Sequence, residues 1–212
     1  VVWQDVRGRG ESEGEWAGLV LATNETNDGY DTMAWINEQP WSNGNVGTIG
    51  ASYTGATQGA LALTNPPGLK AQFIMDSGYN YHTHTFRSGG AFSFGIIFPY
   101  TLSMASAGKD SQQNPTLQRA LLQTAENAAD MLEHLKIAPL KRGTTALSMA
   151  PAYENMLFEL AMTGDYNQLW KDPSFNAQEH IDRYPDVPID KAFRTILSCG
   201  AGTADLLHNK PI

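Results

Sequence analysis

Serine is an ordinary alcohol at neutral pH and becomes a nucleophile only when a base, a turn and a set of N–H donors are built around it. Ser52 stands in "GTIGASYTGATQGALAL", Gly47 to Leu63, between a run that reads as a buried strand and a run that reads as a helix. That junction is where a nucleophile elbow sits, because a sharp turn at the carboxyl end of a strand lifts the hydroxyl clear of the sheet. Side chains beside such a turn must be small, and Gly50 and Ala51 are. The N–H of the next residue, Tyr53, is then aimed at the place where a tetrahedral oxyanion would form, with the positive end of the helix behind it. The usual elbow has its second glycine two residues after the serine, whereas here Gly55 comes three after. From this spacing alone a nucleophile and a structural serine in a tight turn both remain open.

Other residues that could do chemistry are fewer. His82 and His84 in "YNYHTHTF" would face the same side of an extended chain, as zinc ligands do, but no Cys or acidic partner is spaced to complete a tetrahedral shell. No metal site is expected, and acyl transfer through a serine requires no cofactor. His134 falls on a helix and His180 in a polar loop, where solvated roles are expected. Asp5 and Arg7 read as a charge-assisted pair that fixes a loop. Asp31 and Asp76 are assigned no catalytic role, and Trp35, Trp41 and Phe73 are expected in the core.

The elements that must position Ser52 follow from periodicity and punctuation. Val1–Gln4 reads as a strand that runs into the Gly- and charge-rich "DVRGRGESEGEW". Asp28 can cap a helix through "GYDTMAWINEQ", in which Tyr30, Met33 and Ile36 or Asn37 recur at helical spacing, and Pro40 with "SNGN" stops it. Val46–Ile49 reads as a second strand and Tyr53–Thr64 as a second helix, with Ala56, Gly59 and Ala60 toward the sheet. "PPG" at Pro66 to Gly68 ends that helix, and "LKAQFIMDSG" gives a third strand. Alternation at this spacing predicts βαβ units and a parallel sheet covered on both faces, with Val1–Gln4, Val46–Ile49 and Ala71–Met75 as neighbours and Ser52 at the end of the middle strand. Beyond Tyr79 the pattern changes. From Pro115 a stripe of Leu117, Leu121, Thr124, Ala128, Met131 or Leu132, and Leu135 predicts one long helix, and Ala152 to Met162 a further one.

Composition narrows the class. The chain has 212 residues, 42% of them apolar, enough to bury one sizeable core or one core with a subdomain. A net charge of -8, with no clustered Lys and Arg, argues against a nucleic-acid surface. No apolar run approaches the ~20 residues of a membrane span. A single cysteine, Cys199, excludes an internal disulfide framework. Neither nucleic acid nor a membrane is expected as a partner, and neither localisation nor oligomeric state follows from these residues. The opening "VVWQD" reads as the interior of a strand, so the chain is expected to begin inside a longer protein.

The wider text resembles the cocaine esterase and X-Pro dipeptidyl-peptidase family of serine hydrolases, the CocE/NonD hydrolases. The resemblance rests on three separated motifs: Gln-Asp-x-Arg-Gly at Gln4 to Gly8, Trp-x-x-x-Gln-x-Trp at Trp35 to Trp41, and Gly-x-Ser-Tyr-x-Gly at Gly50 to Gly55. The displaced glycine is the family form of the elbow. "MTGDYNQLWKDPSFNAQEHIDRYPDVP", Met162 to Pro188, is similar to the later part of the family's helical cap, so the resemblance runs from Val1 to about Ile189.

This resemblance implies an α/β-hydrolase core, mainly a parallel sheet with flanking helices, carrying an inserted helical cap and truncated at both ends. The implied division is 1–80 for the partial core, 81–189 for the cap and 190–212 for a divergent tail. It implies Ser52 as nucleophile of a Ser-Asp-His triad, the Tyr53 N–H as one oxyanion donor, and Tyr81 and His82 as lining of the acyl pocket. Substrates would be small esters, amides or short peptides, cleaved through an acyl-enzyme without metal or organic cofactor. The family's second oxyanion donor, an early-loop tyrosine, would precede Val1. Its triad acid follows the cap in a Gly-Gly-Trp-Tyr-Asp strand end, which this chain does not carry after "YPDVPI". Asp205 and His208 lie three residues apart, which is not the family's spacing, and they are not read as a triad. The alternative is a non-catalytic remnant acting only as a folded or partner-binding module.

Overall fold

The computed structural model describes residues 1–18, 25–136, 140–173 and 175–186. Asp205 and His208 in the tail, and Cys199, fall outside the described residues. The chain divides into two compact units, each built from two separate stretches. One takes Val20–Arg87 and Tyr166–Ile212, the other Val1–Leu19 and Ser88–Asp165.

The first of these units carries the sheet. Helix α1 (Thr26–Glu38) leads to strand β1 (Val46–Ala51), helix α2 (Tyr53–Ala62) and strand β2 (Leu69–Met75). The two strands pair in parallel, from Val46 opposite Leu69, with a register shift at Gly47, to Ala51 opposite Met75. The β-α-β spacing thus does what it predicts. Helix α2 packs on both strands through a face of small residues, and α1 packs on α2. The apolar core joins Met33, Leu61, Ala62, Leu63, Leu69, Ile74 and Tyr79 with Ala177 and Tyr184, which return from the far end of the described residues. The later stretch also brings the fully buried Trp170 and Phe175. These ring with Phe86 and with each other at centroid separations of 5.6–6.4 Å, inside the range where edge and tilted aromatic contacts attract.

Three expectations fail here. Val1–Gln4 forms no strand; Val1 and Trp3 are among the most exposed apolar residues, and the segment groups with the other unit. Only one face of the sheet is covered among the described residues, since exposure alternates along β1 and its outward Ile49 is 73% exposed. Trp35 and Trp41 are likewise exposed, packed edge-on against each other at 6.0 Å, because the buried stripe of α1 is Met33 and Ile36. Phe73 is only partly buried: it shares its face of β2 with Met75, while Gln72 and Ile74 point to the covered side.

The other unit is helical. Helix α3 (Phe94–Ser106) is its centre, with Phe98, Leu102 and Ala105 fully buried against α5 (Pro115–Glu126) and α7 (Pro151–Met162). Leu117, Leu121, Leu147 and Leu157 complete that core, each such side chain contributing about 1.5–3 kcal/mol of burial. Short α4 (Lys109–Gln112) and α6 (Ala128–Lys136) flank it. The long helix expected from Pro115 to Leu135 is two helices. Asn127 leaves the helical region at φ −94°, ψ 105°, and its side-chain oxygen accepts from the Ala129 N–H at 3.0 Å, which starts α6 anew. The start of α5 is as expected, with Pro115 in the first turn and Asn114 accepting from the Leu117 N–H at 3.2 Å.

The early Gly-rich loop belongs to this helical unit. Asp5 braces it by accepting from the Glu11 N–H at 3.1 Å, and its carboxylate occupies the space where a Cβ at Gly10 would sit. Arg9 donates to the Met104 carbonyl and to the Tyr153 hydroxyl, while Trp16 stacks on Tyr153 at 4.1 Å.

Candidate active site

Ser52 lies between the last residue of β1 and the first of α2, at φ 53°, ψ −119°. A side-chain-bearing residue reaches this conformation only under constraint, at a cost of order 1–3 kcal/mol. The constraint is visible on both sides. The Ser52 N–H donates to the Met75 carbonyl at 2.9 Å, which ties the turn to the end of β2. The Ser52 carbonyl accepts from the N–H groups of Gly55 and Ala56, at 3.0 and 2.9 Å, and so opens the helix. The Thr54 hydroxyl braces the inside of the turn, accepting from the Ala51 N–H at 3.0 Å and donating to the Ala51 carbonyl at 2.8 Å.

The glycines are explained by what surrounds them. A Cβ at Gly50 would stand 2.6 Å from both the carbonyl oxygen and the hydroxyl of Thr54. A Cβ at Gly55 would stand 2.8 Å from Ser77 Cβ and 3.1 Å from the Met75 carbonyl. Gly55, three residues after the serine, is therefore the point where α2 touches the end of β2.

The Ser52 hydroxyl itself has no part in this scaffold. A serine at a helix start ordinarily caps it by accepting an N–H of the first turn. Here the backbone carbonyl does that work, the side chain makes no capping bond, and Ser52 is exposed. Tyr53 is the first residue of α2, so its N–H points out of the helix start beside Ser52. Its own hydroxyl donates to the Glu25 carboxylate.

Tyr81 and His82 open a π-helical turn, with His82–Phe86 as its body. The Tyr81 hydroxyl shares a hydrogen bond with Ser77 at 3.1 Å, and its N–H donates to the Phe175 carbonyl at 2.8 Å. Both Tyr81 and Ser77 border a small hollow against Gly55, Ala56, Gly59 and Ile74 on the sheet side of α2. His82 packs between Tyr166 and Trp170, at 5.3 and 5.0 Å. Because this segment is helical and not extended, His82 and His84 leave the backbone in different directions: His82 is half-buried and His84 exposed. His134 contacts the Asp130 carbonyl at 2.7 Å and His180 the Lys171 carbonyl at 3.0 Å. Among the described residues no histidine is bonded to the Ser52 hydroxyl. Asp76 is exposed at φ 45° just past β2, and Asp31 is exposed on α1.

A polar chain that the sequence did not disclose runs beneath the turn. Gln58 and Gln72 are 5% and 2% exposed. The Thr48 hydroxyl donates to Gln58 Oε1 at 2.7 Å, and Gln72 Nε2 donates to the Gln58 carbonyl at 2.9 Å. Gln58 Nε2 donates to the Thr54 carbonyl at 3.0 Å and lies 3.4 Å from that of Gly50. At the far end the Tyr184 hydroxyl donates to Gln72 Oε1. Burial pushes the Tyr184 hydroxyl up to about 12, so it stays a donor across the physiological range. The only advance signal was a glutamine on the otherwise small-residue face of α2.

Comparison with known proteins places the chain in a family. Residues 1–189 match the X-Pro dipeptidyl-peptidase (S15) family. Cocaine esterase of Rhodococcus sp. (strain MB1 Bresler) is 44% identical over 94 residues, which are 44% of this chain and 16% of that protein. An aminopeptidase from the marine sediment archaeon Thaumarchaeota archaeon shares the fold, with a TM-score of 0.57 at 20% identity over 93% of this chain and 34% of that one. The chain thus spans well under two thirds of either relative.

Proposed function

Because the chain belongs to the X-Pro dipeptidyl-peptidase (S15) family, we propose that it carries the nucleophile of a serine hydrolase that cleaves ester or amide bonds of small acyl groups. In a Ser-His-Asp mechanism a histidine takes the Ser52 proton as the hydroxyl attacks the carbonyl carbon, and the Tyr53 N–H holds the developing oxyanion. The C–O or C–N bond breaks and the alcohol or amine leaves with that proton, and water then cleaves the acyl-serine to release the acid and restore Ser52. Tyr81 and His82 line the acyl side of the site, and the sheet unit forms part of an α/β-hydrolase core. The substrates are short peptides or small esters and amides, and the chemistry takes no metal or organic cofactor.

One observation carries this reading: Ser52 is held in a strained conformation by its backbone alone, with its hydroxyl exposed and unused by the scaffold. Strain that supports no packing or capping is what a preorganised nucleophile requires. A second reading, a folded module without catalysis, is favoured by the lack of a histidine on the Ser52 hydroxyl among the described residues. A serine without its base retains only ~10³ to 10⁴-fold catalysis over water, so the 212-residue chain is expected to turn over p-nitrophenyl esters very slowly.

The test compares the chain with Ser52→Ala in fluorophosphonate labelling mapped by mass spectrometry and in ester hydrolysis. Ser52 is expected to be modified faster than every other serine. Labelling spread evenly over surface serines would sink the nucleophile reading, and fast turnover abolished by Ser52→Ala would mean that a base lies within these residues.

A further inference from the structure

The Ser52 turn is fixed from above by Thr54 and from the side by Met75, but the carbonyls that flank it also need an anchor below. Gln58 is placed to be that anchor. Its Nε2 donates to the carbonyl of Thr54, two residues after Ser52, and lies within reach of that of Gly50, two residues before. The same nitrogen lies 3.5 Å from the Phe73 carbonyl on β2. An amide this deeply buried is stable only when its groups are satisfied, and here both ends are. Thr48 on β1 holds the oxygen and thereby turns the nitrogen toward the turn. Gln72 on β2 holds the Gln58 backbone carbonyl, and Tyr184 in turn holds Gln72.

We propose that Gln58 is a positioning residue for the Ser52 nucleophile: its buried amide struts the two arms of the elbow and keeps Ser52 in its left-handed conformation. This rests on the nucleophile reading for its catalytic meaning, but the strut itself is a matter of geometry. Removing it takes away the one side-chain donor that the Gly50 and Thr54 carbonyls share and lets the turn relax away from φ 53°.

The deciding measurement is amide hydrogen exchange of the 212-residue chain against Gln58→Met, which keeps length and burial but removes both polar ends. The amides of Ser52, bonded to the Met75 carbonyl, and of Gly55 and Ala56, both bonded to the Ser52 carbonyl, are expected to exchange at least about tenfold faster relative to Ala60–Ala62 in the same helix. Leu69→Ala, a core change at the opposite end of the sheet, is expected to lower Tm while leaving that ratio unchanged. An unchanged ratio in a folded Gln58→Met would overturn the proposal. If Gln58→Met does not fold, Thr48→Val decides instead: losing the hydroxyl that aims Gln58 raises the ratio about threefold, and no rise is equally fatal. Fluorophosphonate labelling of Ser52 should slow about tenfold in Gln58→Met; labelling at the native rate together with fast exchange would also refute the positioning role. A native chain that takes no label at Ser52 ends the nucleophile reading alone, because the exchange ratio still decides whether Gln58 holds the turn.

Discussion

Ser52 trades stability for exposure of its hydroxyl. Its φ of 53° with ψ −119° suits glycine, which has no Cβ to resist it. Ser52→Gly is therefore expected to stabilise the chain by roughly 1 kcal/mol in urea unfolding while abolishing site-specific labelling, the usual opposition of stability and activity. A destabilised Ser52→Gly would mean that the serine side chain contributes packing that its exposure does not suggest. This residue was legible in the sequence because the turn imposes its demands on neighbours: Gly50 and Gly55 mark where Thr54, Met75 and Ser77 approach. Gln58 and Gln72 were not legible. A glutamine in a helix or strand reads as surface, and only the three-dimensional meeting of β1, β2 and α2 supplies the partners that let it be buried.

At the scale of elements, β2 is a seam. Its Gln72 receives the Tyr184 hydroxyl, and Tyr184 rings with Tyr79 at 6.1 Å. Burial raises the pKa of Tyr184 to about 12 and that of Tyr79 well above its usual value. For such groups the folded state keeps the proton that the unfolded chain gives up near pH 10. The stabilisation is fully present below pH 10 and is lost as pH rises toward 12, because only the unfolded state gains from ionising. A shift of about two units for Tyr184 corresponds to roughly 2–3 kcal/mol. Urea midpoints are expected to fall steeply between about pH 10 and pH 11.5, and Tyr184→Phe to flatten that fall while lowering stability at about pH 8; an equally steep fall in the variant would show that other groups govern it. The parallel pair and α2 were readable from alternation and from the glycine stop at Gly68. Helix α3 was not: "FGIIFPYTLSMAS" is apolar on all sides, so it has no helical stripe, and Pro99 reads as a breaker. The Asn127 break was hidden for the opposite reason, since the apolar stripe continues across it.

Taken as a whole molecule, the chain does not divide where its sequence changes character. The reading by resemblance places 1–80 in a core and 81–189 in a cap, whereas contacts group 1–19 with the helices and 166–186 with the sheet. Composition could not reveal this, because the segments that cross over do so through scattered anchors with no periodic stripe, among them Arg9 and Trp16 on Tyr153, and Phe175 and Tyr184 on the sheet unit. The face of the sheet that is uncovered among the described residues was missed for a related reason, as alternation predicts which residues share a face but not what lies on it. Ile49 stands on that face at 73% exposure. Ile49→Lys is expected to leave stability within about 0.5 kcal/mol and to reduce self-association in sedimentation velocity at high concentration; unchanged association would place the sticky surface elsewhere, with Trp35 and Trp41 next in line. The split sheet unit also sets a clock for biosynthesis. Gln72 leaves the ribosome 112 residues ahead of the tyrosine that completes its hydrogen bonding, a wait of about 6 to 22 s at ordinary elongation rates of 5–20 residues per second. Through that interval the nascent β-α-β unit holds a Gln72 whose side-chain oxygen lacks its tyrosine and a core without Ala177 and Tyr184, so the Ser52 turn acquires its final tension only once Tyr184 has emerged.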